Sequence, residues 1–133
     1  MVKEGRSTYI ANRQFQQFRY SMEKAVVDLY MKVAIGAAGA PTISRAKGVT
    51  SITRNSAGKY TIVLQDNYYA FLMASGACLT AGIPAAPTFS VFSEAVASGS
   101  LVVQFSDAAG AAADPGNGEV VVLQITLSNS GAL

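Results

Sequence analysis

The sequence predicts an all-β domain, an antiparallel β-sandwich or jelly-roll-like barrel with an N-terminal arm. Apolar residues recur at every second position in several runs, which is the period of a strand and not of a helix. The runs are divided by clusters of Gly, Pro, Asn and Asp, residues whose backbone freedom or local hydrogen bonding turns a chain. No long stretch carries the periodicity of an amphipathic helix, and short strands joined by turns are the pattern of packed antiparallel sheets.

The clearest run is residues 25–35, where Ala25, Val27, Leu29, Met31, Val33 and Ile35 alternate with Val26, Asp28, Tyr30, Lys32 and Ala34. One face is wholly apolar, and a strand longer than the usual ~5–6 residues reads as the spine of a sheet packed on one side. GAAGAPTI, residues 36–43, breaks it with two glycines and a proline. Residues 48–69 then read as a hairpin. Val49, Ser51 and Thr53 oppose Thr50, Ile52 and Arg54; Tyr60, Ile62 and Leu64 oppose Thr61, Val63 and Gln65; and Asn55, Ser56, Ala57 and Gly58 supply the turn. Residues 66–73 fit either one helical turn or a continuing strand.

The second half repeats the pattern. Phe89, Val91 and Ser93 lie against Phe92, Glu94 and Val96, and Leu101, Val103 and Phe105 share a side. Residues 108–118 form an Ala- and Gly-rich loop with a Pro115-Gly116 turn, after which Val121, Leu123, Ile125 and Leu127 oppose Val122, Gln124, Thr126 and Ser128. Six or seven strands are expected.

Residues 1–21 differ from the rest, being rich in Gln and basic, with aromatic residues set among arginines. They are expected to be an arm preceding a domain of residues 22–133, and Arg13, Phe15, Phe18, Arg19 and Tyr20 are its candidate partner-binding residues. Its conformation stays open: Ala11, Phe15, Phe18 and Met22 fall at helical spacing, and Phe18, Tyr20 and Met22 at strand spacing. Interleaved aromatics and arginines can also stack on single-stranded nucleic acid. The arm nets only +3 through Lys24 and carries no recognisable binding motif, so nucleic acid is the minority reading.

Bulk properties narrow the function. The 133 residues suit a single domain. Half are apolar and 14% charged, with a mean hydropathy of +0.30, more apolar surface than a solitary small domain usually hides, which points to partners. Residues 1–59 hold all ten Lys and Arg against Glu4, Glu23 and Asp28, a balance of +7, whereas the other five acids leave the remainder at −5. That split suits contact between copies, or a basic part resting on an acidic surface.

Chemistry is hard to build from this inventory. There is no histidine, and the lone Cys78 sits among apolar neighbours, where a thiol stays protonated and is expected in the core. A disulfide scaffold and a zinc site are not expected, nor is any cofactor. Asp107, Asp114 and Glu119 frame one loop and could hold a hard cation, but their spacing matches no calcium loop and a plain turn is the preferred reading. GAAGA lacks the lysine and helix that a phosphate cradle requires. The chain is therefore read as no enzyme. The uncharged stretch 67–93 is interrupted by Gly76, Thr80, Gly82, Pro84 and Pro87, and its apolar part falls short of the roughly 20 residues a membrane helix needs. Residues 1–17 are polar and charged where a signal peptide would be apolar, so synthesis in a cytoplasm is expected.

Three segments, EKAVVDLYMKVAIGAAGAPTI, KGVTSITRNSAGKYTIVLQDNYY and LVVQFSDAAGAAADPGNGEVVVLQITLSNS, together resemble small β-rich virion proteins of tailed bacteriophages that decorate or cement the capsid. The likeness spans about residues 21–130 and rests on strand and turn grammar. It implies a protein of the capsid exterior, a dimer or trimer made in the host cytoplasm and bound where major capsid protein subunits meet. A head-fibre or tail component, or a carbohydrate- or receptor-binding β module, is the alternative. The resemblance supplies no catalytic or binding residue to carry over.

Overall fold

The computed structural model describes residues 25–129. The candidate arm residues Arg13, Phe15, Phe18, Arg19 and Tyr20, and the expected boundary at residue 22, lie outside that range. Eight strands follow in order: β1 (Val26–Ile35), β2 (Pro41–Ala46), β3 (Val49–Ser56), β4 (Lys59–Leu64), β5 (Ala70–Leu79), β6 (Thr88–Ala95), β7 (Ser100–Ser106) and β8 (Val120–Ser128). They build two four-stranded antiparallel sheets of order β2-β1-β8-β5 and β3-β4-β7-β6, so the fold is all-β as expected. Two short 3-10 turns, Ala37–Gly39 and Val96–Ser98, are the helical pieces among the described residues.

The inward faces of both sheets make one core. From β1 come Leu29, Met31, Val33 and Ile35; from β4, Tyr60, Ile62 and Leu64; from β7, Leu101, Val103 and Phe105; from β8, Val121, Leu123, Ile125 and Leu127. These are the faces that alternation predicts, because a pleated strand between core and solvent must put every second side chain inside. Tyr60 packs edge-on to Phe105, with ring centroids 5.8 Å apart, and Phe89 reaches the same ring from β6.

The edge strands depart from simple alternation, and the cause is β-bulges. Val49 pairs with Leu64 but Ser51 with Val63, so Thr50 is an extra residue and both Val49 and Ile52 turn toward the core instead of opposing each other. A second bulge at Phe92 leaves that ring 57% exposed on β6. Strand β2 is a strand that the expectation of a simple break at residues 36–43 omits. It starts at Pro41, where a missing N–H costs a sheet least, and only Ile43 and Ala46 reach the core. The ambiguous stretch 66–73 resolves as a bend followed by β5, whose own bulge falls between Phe71 and Met73.

Candidate functional site

The outer face of the β2-β1-β8-β5 sheet carries the most distinctive surface. β1 and β8 turn Tyr30, Lys32 and Val122 outward, and Tyr30 is 58% exposed beside a groove of about 440 Å³. The groove is lined by Asp28, Tyr30, Lys32, Arg45, Lys47 and Val122, with the backbone at Met31 and Leu123 beneath. A bulge at Ser44 sets its geometry: β1 pairs Lys32 with Arg45 but Val33 with Ile43. Two cations thus stand directly opposite each other on one face of an antiparallel pair, an arrangement that destabilises a sheet. Lys32, Arg45 and Lys47 are all exposed, and none makes an ion pair or side-chain hydrogen bond among the described residues. Asp28 is already engaged, its carboxylate accepting from the Thr126 hydroxyl at 2.7 Å.

Toward the β5 edge the same face exposes Met73 (51%) and Leu79 (50%). β5 is an edge strand without a charged residue or proline, whereas β2 carries Pro41 and Arg45, β3 carries Arg54, and β6 carries Glu94. Charges and prolines are the usual means of blocking edge-to-edge association.

Across the molecule a charged group serves folding instead. Asp114 takes a forked contact from Arg54, with Nε at 3.0 and 3.1 Å and a terminal nitrogen at 2.9 Å, and its Oδ1 also accepts from the Gly58 amide at 2.8 Å. The buried Tyr60 hydroxyl donates to the Gly39 carbonyl at 2.8 Å, with Asp114 Oδ1 3.3 Å away. Three turns meet there, and two of them need glycine. Gly39 has φ +75° and Gly58 φ +73°, and a Cβ would lie 2.5 Å from the Asp114 carboxyl carbon in the first case and 2.4 Å from the Phe105 carbonyl oxygen in the second. Burial pushes the Asp114 carboxyl upward, but hydrogen bonds from Arg54 and Gly58 outweigh it and hold the group below the ordinary carboxylate value. Burial first, and the neighbouring Asp114 charge second, drive the Tyr60 phenol well above its usual range.

The three acids singled out around the 108–118 loop are not brought together as a cation site. Asp107 accepts from the Ala109 and Ala111 amides at 2.9 Å, closing its own turn. Glu119 takes the Ala85 amide at 3.1 Å and the Gly116 amide at 2.9 Å, and Asp114 is held as described. No group of three His, Cys, Asp or Glu able to hold a metal occurs among the described residues. Cys78 packs against the core but is only half-buried: β5 is an edge strand with one hydrogen-bonded neighbour, so its inward side chains are incompletely covered. Its thiol lies 3.7 Å from the Ala86 carbonyl, and burial, then the Glu119 charge, pushes its pKa up. Tyr68 is buried, whereas the neighbouring Tyr69 is 72% exposed. No described helix is long and apolar enough to cross a membrane. Comparison with protein families, curated proteins and solved structures finds no match to this chain.

Alternation could not have revealed the groove. The signal for it was the charge balance of residues 1–59, but only the bulge at Ser44 puts Lys32 and Arg45 opposite one another.

Proposed function

We propose that this chain is a structural protein of a tailed-bacteriophage virion, decorating or cementing the outside of the capsid as a dimer or trimer that bridges major capsid protein subunits. The observation that supports this best is the outer face of the β2-β1-β8-β5 sheet, where Tyr30, Met73 and Leu79 stand exposed beside cations that form no ion pair among the described residues, and beside an unblocked edge strand. Broad faces that mix apolar and charged groups suit protein contact. The sequence resemblance supplies the kind of assembly. Contacts that are weak singly become firm when many copies engage one lattice, as a shell under pressure from packaged DNA requires.

The test is immunogold labelling of phage particles from a lysate that contains the protein, followed by cryo-electron microscopy of the labelled heads. Label over the head surface at regular lattice positions is the expected result. Label confined to tails or fibres would move the assignment to those structures, and particles without label would overturn the virion reading.

A further inference from the structure

We propose that the groove between Tyr30, Lys32, Arg45 and Lys47 is a docking site for an acidic segment of a partner protein, one that places a carboxylate between Lys32 and Arg45 and an apolar side chain beside Tyr30. The groove lies on the face from which the virion reading is drawn, but the proposal concerns the chemistry of the segment it takes and is tested with the purified chain alone, so either can fail without the other.

Lys32 and Arg45 are register partners on the solvent face, where like charges repel, and Lys47 adds a third cation to the same groove. The fold pairs Arg54 with Asp114, yet among the described residues no carboxylate forms an ion pair with Lys32, Arg45 or Lys47. A carboxylate arriving from outside would relieve the repulsion and gain charge-assisted hydrogen bonds, with the Arg45 guanidinium able to grip both oxygens. The groove's volume falls within the ~300–1,000 Å³ of ordinary binding pockets.

Two features favour a peptide over nucleic acid. Tyr30 and Val122 offer an apolar wall, to which a neighbouring side chain of a peptide can bind. Asp28 stands in the same wall, where its charge would repel a polyphosphate track but leaves room for one carboxylate at the Lys32–Arg45 end. Polymer binding to nucleic acid would call for a longer run of cations without an interposed acid.

The experiment measures fluorescence anisotropy of the full chain with three labelled probes: a peptide alternating Glu and Leu, the same peptide with Gln for Glu, and an oligothymidylate. The Glu peptide is expected to bind in low salt and to weaken as salt rises. The double variant Lys32→Gln/Arg45→Gln is expected to lose about tenfold or more in affinity for it, the loss of at least one charge-assisted hydrogen bond. Lys59→Gln, on the opposite sheet beside Phe92, should leave the affinity unchanged. Because both groove side chains are exposed, the double variant should melt no lower than the parent. Equal binding of the Glu and Gln peptides, an undiminished affinity in the double variant, or a stronger groove-dependent affinity for oligothymidylate would each overturn the proposal. So would a drop in melting temperature, which would make the pair part of the sheet's own stability.

Discussion

Arg45 and Arg54 lie on β2 and β3, edge strands that neighbour each other across the two sheets, and the fold uses them in opposite ways. Arg54 closes a fork on Asp114, sixty residues further along the chain, and the pair fastens three turns at one end of the two sheets. Arg45 faces another cation, Lys32, with no carboxylate among the described residues to receive it. A guanidinium forked on a fixed carboxylate is committed to the fold, whereas one without such an acceptor keeps its donors open to solvent or to a partner. On the docking proposal, the contrast separates the part of the surface that folding has used from the part a partner would take.

The largest effect expected along this divide comes from β1 itself, whose two faces belong to the two categories. Leu29 is buried in the core, so Leu29→Asp should cost about 3–5 kcal/mol by placing an unpaired charge among apolar side chains, read as a fall in the urea midpoint with an unchanged slope. A tolerated Leu29→Asp would mean that the inner and outer faces have been exchanged.

Asp114→Ala comes next. It strands the Gly58 amide and removes the acceptor of Arg54, a loss of about 2 kcal/mol for hydrogen bonds to a charged group. The pH dependence sharpens the test. Since the folded pKa of Asp114 lies below the ordinary 3.8, its contribution is fully present above that value and fades as the pH falls through the lowered one. The stability gap between parent and Asp114→Ala should therefore be constant near neutrality and narrow in acid, as followed by circular dichroism. A gap that stays constant down through the acid range would show that the carboxylate charge contributes nothing to the fastening.

The smallest effect is expected at Lys32. Lys32→Gln removes one side of a like-charged pair at an exposed site, and stability should rise, by no more than about 0.5 kcal/mol. A decrease would show that Lys32 is held by the fold after all and would weaken the contrast with Arg54.

The legible part of the fold was the part where period alone decides. In β1, β4, β7 and β8 each strand separates core from solvent, so Leu29, Ile62, Val103 and Ile125 could be placed inside from spacing alone. Edge strands escape that logic because a single inserted residue reverses every side chain beyond it, as Thr50 does before Ile52. β2 escaped because its six residues hold one proline, one arginine and little apolar content. The two charged regions were legible only as composition. Asp114 could be read as part of a turn, but nothing local announces that Arg54 reaches it, and the pairing of Lys32 with Arg45 follows from a register shift at Ser44 that the sequence does not announce.

The placement of β8 has a kinetic consequence. It lies between β1 and β5, pairing with both, although it is the last of the described strands to be synthesised and its contacts with β1 close a loop of almost the whole domain. Until β8 arrives, the first sheet exists only as a β1-β2 hairpin and a separate β5, each presenting apolar side chains that the completed core would cover. Closing so long a loop before its contacts reward it makes for slow folding. Completion of this sheet must therefore wait for β8, which leaves apolar side chains of β1 and β5 uncovered for longer than a hairpin-by-hairpin order would.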